Sequence, residues 1–396
     1  MVDALTTAEP ATRRDMPWPA AREAAHAAAE PLGPVAVPLR GAAGSVLAAD
    51  LVAPTPLPGF DTAAMDGYAL NGPGPWRLAG EAVPGSPWPG STLVPGAAIR
   101  IATGAVVPAG AHAVLPVEHG VLDGDSLTGP ELPAGKHIRY RGEDAPAGAR
   151  LVAAGTRIGP SLLGLAAACG YDALQVAQAP TVRLVVTGDE LVHAGIAPAG
   201  RVRDALGPLL ESFLPRHGAL VTESVHAPDH PGSALADAVT APGPHVVVVA
   251  GSTSVGTTDG LRPLLRTLGA DHLVDSVACR PGHPQILARL DSGAYVAGLP
   301  GNPFAALAAA YTTLVPLLHG LTGRPLPALP HAVLSTPVPA LPGRTRIVPV
   351  TWNGPTAHPL GNPRPAFLNG AATGNALAVI PPNAAPEAPV PLLLLD

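Results

Sequence analysis

Lysine is almost missing from this chain: Lys136 is the only one among 396 residues. Charge of any kind is scarce, at 13% of residues with a formal net charge of -6, so no basic field exists to draw in nucleic acid or an anionic membrane surface. No nucleic-acid partner and no membrane partner are expected. Cysteine is nearly absent too. Cys169 and Cys279 lie far apart and in no CxxC spacing, which signals neither a disulfide framework nor a zinc cage and fits a reducing compartment. No uninterrupted apolar stretch reaches the roughly 18 residues that spanning a bilayer requires. Residues 1–18 hold acids, two arginines and prolines but no apolar core, so they do not read as a signal peptide. A soluble, cytoplasmic protein is expected. Apolar material is plentiful, because 47% hydrophobic residues over this length supply cores for two to four domains.

Residues 1–19 carry proline and charge without a period and read as a disordered lead. Residues 21–30 are alanine-rich and helical by propensity up to Pro31, and residues 44–51 read as a second short helix before an extended Pro54-Thr55-Pro56 linker. These begin a helical domain I, split into residues 20–58 and 136–180. Its second part holds a helix over 161–169, with Pro160 and Ser161 as start signals and Gly170 as the stop. Between the parts, residues 59–135 alternate short β runs such as 98–101 and 113–117 with Gly/Pro turns, as a small inserted β domain would. Residues 181–324 change character. Apolar strands at 182–186, 245–249 and 295–297 each run into a glycine-containing loop and then a helical pattern, the sign of a parallel sheet with crossover helices. Residues 325–396 are proline-punctuated with β runs at 346–350 and 391–395, a second small β domain. No internal repeat is apparent.

Several constellations carry chemistry. Gly251-Ser252-Thr253-Ser254-Val255-Gly256-Thr257-Thr258-Asp259-Gly260 leaves one strand and enters a helical run at Leu261. Small residues let backbone N–H groups approach an anion there, so Gly251, Ser252, Ser254 and Gly256 form a candidate phosphate seat, although an ordinary strand-to-helix turn has the same composition. Thr187-Gly188-Asp189-Glu190 leaves the strand at 182–186, and Leu299-Pro300-Gly301-Asn302-Pro303 leaves the strand at 295–297. Thr187, Gly188, Pro300, Gly301 and Asn302 therefore belong to the same sheet edge, where ligands of such sheets bind. Acids form a second group. Asp61 and Asp66 sit in Pro58-Gly59-Phe60-Asp61-Thr62-Ala63-Ala64-Met65-Asp66-Gly67-Tyr68-Ala69, where a lone Asp-Gly pair alone would read as a turn into a strand. Arg139-Tyr140-Arg141-Gly142-Glu143-Asp144 sets arginines beside acids, either as a solvated ion-pair cluster or as an anion site. Thr103 in Thr103-Gly104-Ala105-Val106-Val107-Pro108 offers a hydroxyl to an oxyanion.

In this order, over roughly residues 20–396, the motifs resemble the MoeA-type molybdopterin molybdotransferases, the family that includes the C-terminal domain of gephyrin. The resemblance implies a split domain I, an inserted β domain, a MogA-like α/β domain that binds molybdopterin, and a C-terminal β barrel. It further implies a transferase that inserts molybdate into adenylylated molybdopterin with Mg²⁺, releases AMP, and yields the molybdenum cofactor. The acids matched are Asp61, Asp66, Asp144, Glu190 and Asp259, of which Glu190, Asp259 and Asp61 are the metal candidates, because Mg²⁺ takes hard oxygen ligands. The matched substrate contacts are Thr103, Arg141, Thr187, Gly188, Gly251, Ser252, Ser254, Gly256, Arg280, His283, Pro300, Gly301 and Asn302. A homodimer is implied, with the cleft shared between subunits, and a molybdopterin adenylyltransferase and molybdoenzyme clients are the protein partners.

The family's pattern is altered in places. Its Lys-Pro-Gly-Lys is Arg280-Pro281-Gly282-His283 here, so an imidazole replaces an ammonium and binding should weaken from about pH 6 to 8, around the reference value of about 6.5. Its Asp-Ser-Asn is Asp204-Ala205-Leu206, its aspartates at 112 and 245 are histidines, and a serine of the C-terminal domain is Pro365. Two alternatives remain compatible with the sequence: a non-catalytic molybdopterin-binding paralogue or scaffold, and a molybdopterin adenylyltransferase.

Overall fold

The computed structural model describes residues 13–230, 233–253, 260–361 and 364–395. Its centre is a seven-stranded sheet in which Leu220–Ala227, Thr181–Thr187, Val246–Ala250 and Tyr295–Leu299 run parallel in that spatial order, followed by antiparallel Ile286–Arg289. The valine-rich runs form strands because both faces are covered. Val182, Leu184, Val186, Val246 and Val248 enter a large core on one side, while Val185, Val247 and Val249 enter a second core on the other. Period-two alternation thus puts apolar residues in two cores at once.

The far edge of the sheet departs from expectation. Residues 14–16 are not part of a disordered lead: Arg14–Met16 is a strand parallel to Asp271–Val277, with Arg14 opposite Asp275 and Met16 opposite Val277. The alanine-rich helix exists as Trp18–Ala27, but it packs on the α/β sheet instead of opening domain I. Trp18, Ala21 and Ala25 lie in the large core with the C-terminal helices of the α/β unit. Tertiary burial of one apolar stripe selected its neighbour, which propensity alone cannot do. The run Pro303–Leu321 is long and apolar enough to cross a membrane, yet 94% of its window is buried inside the protein, as befits a core helix. Its middle, Ala310–Leu314, is π-helical. There Thr313 donates to Gln285 Oε1 at 3.0 Å, and Trp18 Nε1 donates to Thr312 Oγ1 at 2.9 Å.

Domain I is assembled from both flanks of the insertion, through pairing of Pro34–Pro38 with Ala173–Ala177 and of Leu51–Val52 with Arg150–Val152. A shared core of Leu47, Leu51, Ile158, Leu162 and Leu174 joins them, with the helix Pro160–Ala168 on top. The expected helix over 44–51 is absent. Gly44 takes φ +80°, and Val46 and Leu47 bridge to Arg157 and Val176, so cross-strand partners override the local alanine propensity. The insertion is a six-stranded sheet built around Gly67–Leu70. C-terminally, Thr345–Trp352 pairs with both Thr356–Pro359 and Ala376–Ile380, which closes a five-strand barrel through His331–Leu334 and Val390–Leu394.

Gly67 shows why the Asp-Gly-Tyr motif holds a glycine. A Cβ there would overlap the carbonyl oxygen of Leu115 on the neighbouring strand. Gly67→Ala is expected to cost about 1–3 kcal/mol, the usual penalty for overpacking a closed site, read as a lowered urea midpoint.

Candidate functional site

Parallel strands bring their carboxyl ends to one edge of the sheet, and there a cleft of ≈ 930 Å³ opens. Thr187, Gly188, Glu190, Gly251, Ser252, Pro300, Gly301 and Asn302 all line it, so the structure gathers the three strand-end loops read from the sequence. The loops interlock. Thr187 Oγ1 lies 3.1 Å from Ser252 Oγ, and the Gly251 N–H donates to Leu299 O at 2.9 Å. Gly251 has φ +104°, and a Cβ there would overlap Thr187 Oγ1, so only glycine allows the loops to meet. Ser254, Gly256 and Asp259 lie outside the described residues.

Two carboxylates line the cleft without being tied down as caps. Glu190 was read from its motif; Asp229 was not. Asp229 follows the strand Leu220–Ala227, whose Ala227 stands in register with Thr187, so the strand-end logic applied to the other loops could have found it. Burial pushes the Asp229 carboxyl above the usual carboxylate range, and the negative charges of Asp189 and Glu190 add to the shift. Asp189 is committed elsewhere. Its Oδ2 lies 2.7 Å from His230 Nδ1, which holds the carboxyl low and raises the imidazole. Asp204, also on the cleft wall, accepts the N–H groups of Leu206 and Gly207 at 2.9 Å each and so anchors the start of the helix Leu206–Arg216.

The acids of the insertion do not line this cleft within one chain. Asp66 Oδ1 accepts the Thr103 N–H at 2.6 Å and its hydroxyl at 2.8 Å, two bonds that hold its carboxyl low. Asp61 Oδ1 accepts the Arg141 N–H at 2.7 Å, while Arg141 Nε donates to Gly59 O at 3.1 Å. These contacts pair Asp66 with Thr103 and Asp61 with Arg141, each fixing a turn. Asp144 donates its N–H to Leu57 O at 3.0 Å.

The basic pair is also separated. Arg280 lines a cavity of ≈ 340 Å³ with Arg346 and Arg364, between the α/β sheet and the barrel. Neither Arg346 nor Arg364 is singled out by the sequence, since neither lies in a recognisable motif and only the fold adds it to Arg280. Pro365 lines this cavity and Ala366 the larger cleft, so one turn of chain divides the two. His283 lines neither. Its Nε2 lies 2.6 Å from Asp15 Oδ1, which also accepts the Ser276 hydroxyl at 3.0 Å. The imidazole expected at an anion seat is engaged here by Asp15 of the N-terminal strand. His283 and then Ser276 hold the Asp15 carboxyl below its ordinary value of 3.8. That contribution to stability is present above the ordinary value and is lost as pH falls through the lowered one. His283→Lys is expected to leave the pH profile of ligand binding unchanged, whereas His283→Ala should speed amide exchange along Arg14–Met16.

Among the described residues no group of three or more His, Cys, Asp or Glu side chains is arranged to hold a metal ion. Glu190 and Asp229 are both carboxylates of the cleft wall, hard oxygen donors of the kind a dication takes, and the Glu190 charge is a lesser cause, after burial and Asp189, of the upward shift at Asp229. Both cysteines are buried thiols, and burial pushes Cys279 up to about 12, outside nucleophilic use.

Residues 16–170 match the family model "MoeA N-terminal region (domain I and II)", residues 183–320 match "Probable molybdopterin binding domain", and residues 331–389 match "MoeA C-terminal region (domain IV)". The chain is 36% identical over 318 residues to molybdopterin molybdenumtransferase 2 of Mycobacterium tuberculosis, covering 75% of this chain and 77% of that one. It is 34% identical over 304 residues to molybdopterin molybdenumtransferase of Synechococcus elongatus, with coverage of 73% and 75%. In fold it is similar to the molybdopterin biosynthesis moeA protein of Pyrococcus horikoshii, with a TM-score of 0.80, 22% identity, and coverage of 96% and 100%.

Proposed function

The chain belongs to the MoeA family of molybdopterin molybdenumtransferases, and from that membership we propose that it inserts molybdate into adenylylated molybdopterin, releasing AMP and the molybdenum cofactor. The observation that carries the reading is the adjacency of the two cavities. The larger cleft offers three glycine- and hydroxyl-rich strand-end loops, suited to a pyrophosphate and its pterin. The smaller presents Arg280, Arg346 and Arg364, suited to a tetrahedral dianion such as molybdate.

Glu190 and Asp229, together with Asp259 as the family's motif matches it, are the residues that would hold Mg²⁺. The bound cation would offset charge on the departing AMP phosphate. The loops of Thr187, Gly251 and Gly301 orient the pyrophosphate, and the arginines hold molybdate against the dithiolene end, so the protein's contribution is mainly positioning and electrostatics.

Asp61, Thr103, Arg141 and Asp144 enter this reading through a homodimer, contributed to the cleft of a second copy. Phe60 is 50% exposed and Tyr140 is 47% exposed beside the Asp61–Arg141 bond, apolar surface of the kind that an interface covers. A cytoplasmic location agrees with two buried free thiols.

AMP release from adenylylated molybdopterin should require molybdate and Mg²⁺ and should stop on chelation with EDTA. Tight pterin binding without AMP release would instead favour the non-catalytic scaffold, a reading favoured by the withdrawal of His283 to Asp15. Formation of adenylylated product from ATP would favour the adenylyltransferase.

A further inference from the structure

Three carboxylates stand on the wall of the larger cleft, Glu190, Asp204 and Asp229, and among the described residues lining it Arg203 is the single cation. An anionic ligand entering this cleft meets charge of its own sign. The strand-end loops offset only part of that, because glycine N–H groups and hydroxyls donate as dipoles and bring no net charge. Local structure sets Arg203 beside a metal candidate. Leu191–Val192 and Val202–Arg203 form a short parallel ribbon, in which the Val202 N–H donates to Glu190 O at 2.9 Å and Arg203 stands opposite Val192. Val192 O accepts both Arg203 Nη1 and the Asp204 N–H at 3.0 Å each. A neutral carbonyl thus steadies the guanidinium at one of its several donors and leaves its charge uncancelled. Arg203 is exposed, and no carboxylate of the described residues pairs with it. Its neighbour is spent on the fold: Asp204 Oδ1 accepts the Leu206 and Gly207 N–H groups, and Oδ2 lies 3.5 Å from His193 Nδ1. The other residues of this segment that line the cleft, Val202, Ala205 and Leu206, have no side-chain donor.

A guanidinium keeps its charge at every working pH, and its planar fork matches two oxygens of a phosphate at once. We propose that Arg203 is a substrate-binding residue that takes the pyrophosphate of the nucleotide-bearing substrate in its fork, on the ribbon that also carries Glu190. The identity of the substrate rests on the transferase reading, whereas the contact with a diphosphate rests on the charge and placement of Arg203. A dication held by Glu190 and Asp229 and the guanidinium of Arg203 then share the diphosphate charge between them. Because Arg203 meets the substrate before and after the bond breaks alike, it governs affinity more than rate.

The test is calorimetric titration of the full chain with ADP at saturating Mg²⁺ and at two ionic strengths, ADP sharing the adenosine and pyrophosphate of the adenylylated substrate. Arg203→Gln should weaken ADP about 10-fold, which is about 1.4 kcal/mol, and should flatten the dependence on salt, since one charge fewer faces the ligand. Arg203→Lys keeps the charge without the fork and should recover part of the loss. Arg201→Gln removes a charge from the same ribbon at a residue bonded to Asp189 O and outside the cleft lining, and should leave ADP binding as it is. In the AMP-release assay Arg203→Gln should raise KM for adenylylated molybdopterin and change kcat much less. Wild-type affinity or wild-type salt dependence in Arg203→Gln, an equal loss in Arg201→Gln, or no ADP binding by the wild type overturns the assignment. A loss of ADP affinity confined to Arg203→Gln, in a protein that releases no AMP, upholds the diphosphate contact and overturns the transferase reading instead.

Discussion

Asp229→Asn is expected to abolish most AMP release while leaving the fold intact. Removing one charge-stabilising group from a preorganised site typically costs about 10²–10³-fold in kcat, and the loss should persist at saturating Mg²⁺. Stability should move the other way. The folded protein raises the Asp229 carboxyl, first by burial, so its ionised form is disfavoured in the native state at pH values above the ordinary carboxylate range. A neutral amide of the same shape removes that penalty, so the thermal midpoint should hold or rise. A variant that loses activity and stability together would make Asp229 a structural residue. Wild-type Mg²⁺ affinity should increase as pH rises through the elevated value, because the cation displaces the carboxyl proton.

Trp18→Ala is expected to be the most destabilising single change outside the strands. The indole is buried in the main core, donates to Thr312 at the π-helical turn, and carries the Arg22 guanidinium on its face. Truncating a buried tryptophan costs about 3–5 kcal/mol. Trp18→Phe, which keeps most of the volume and loses the hydrogen bond, should cost less. Urea titration of both variants, followed by far-ultraviolet circular dichroism, separates the packing share from the hydrogen-bond share.

The central strands were legible because they are buried on both faces: 182–186, 245–249 and 295–297 became Thr181–Thr187, Val246–Ala250 and Tyr295–Leu299. The loops leaving them could be placed on one edge for the same reason. Arg14–Met16 was not legible, since three residues of arginine, aspartate and methionine carry no pattern and their partner strand lies some 260 residues on. The acids show a different limit. Asp61 and Asp66 were visible as carboxylates, but their bonds to the Arg141 and Thr103 amides depend on turns that bring together segments 80 and 37 residues apart. Asp229, Arg346 and Arg364 were missed because no local motif surrounds them. His283 was read by its neighbours in sequence, whereas its environment is set by Asp15, 268 residues away.

The first strand and helix carry a cost in time as well as in contacts. During synthesis, Trp18–Ala27 emerges about 300 residues before Val315–Leu321, the helix against which it packs. At about 5–20 residues per second the nascent chain waits roughly 15–60 s with Trp18, Ala21 and Ala25 uncovered. The α/β unit therefore cannot bury its first helix in the order in which its segments appear, and its core closes only after Val315–Leu321 has been made.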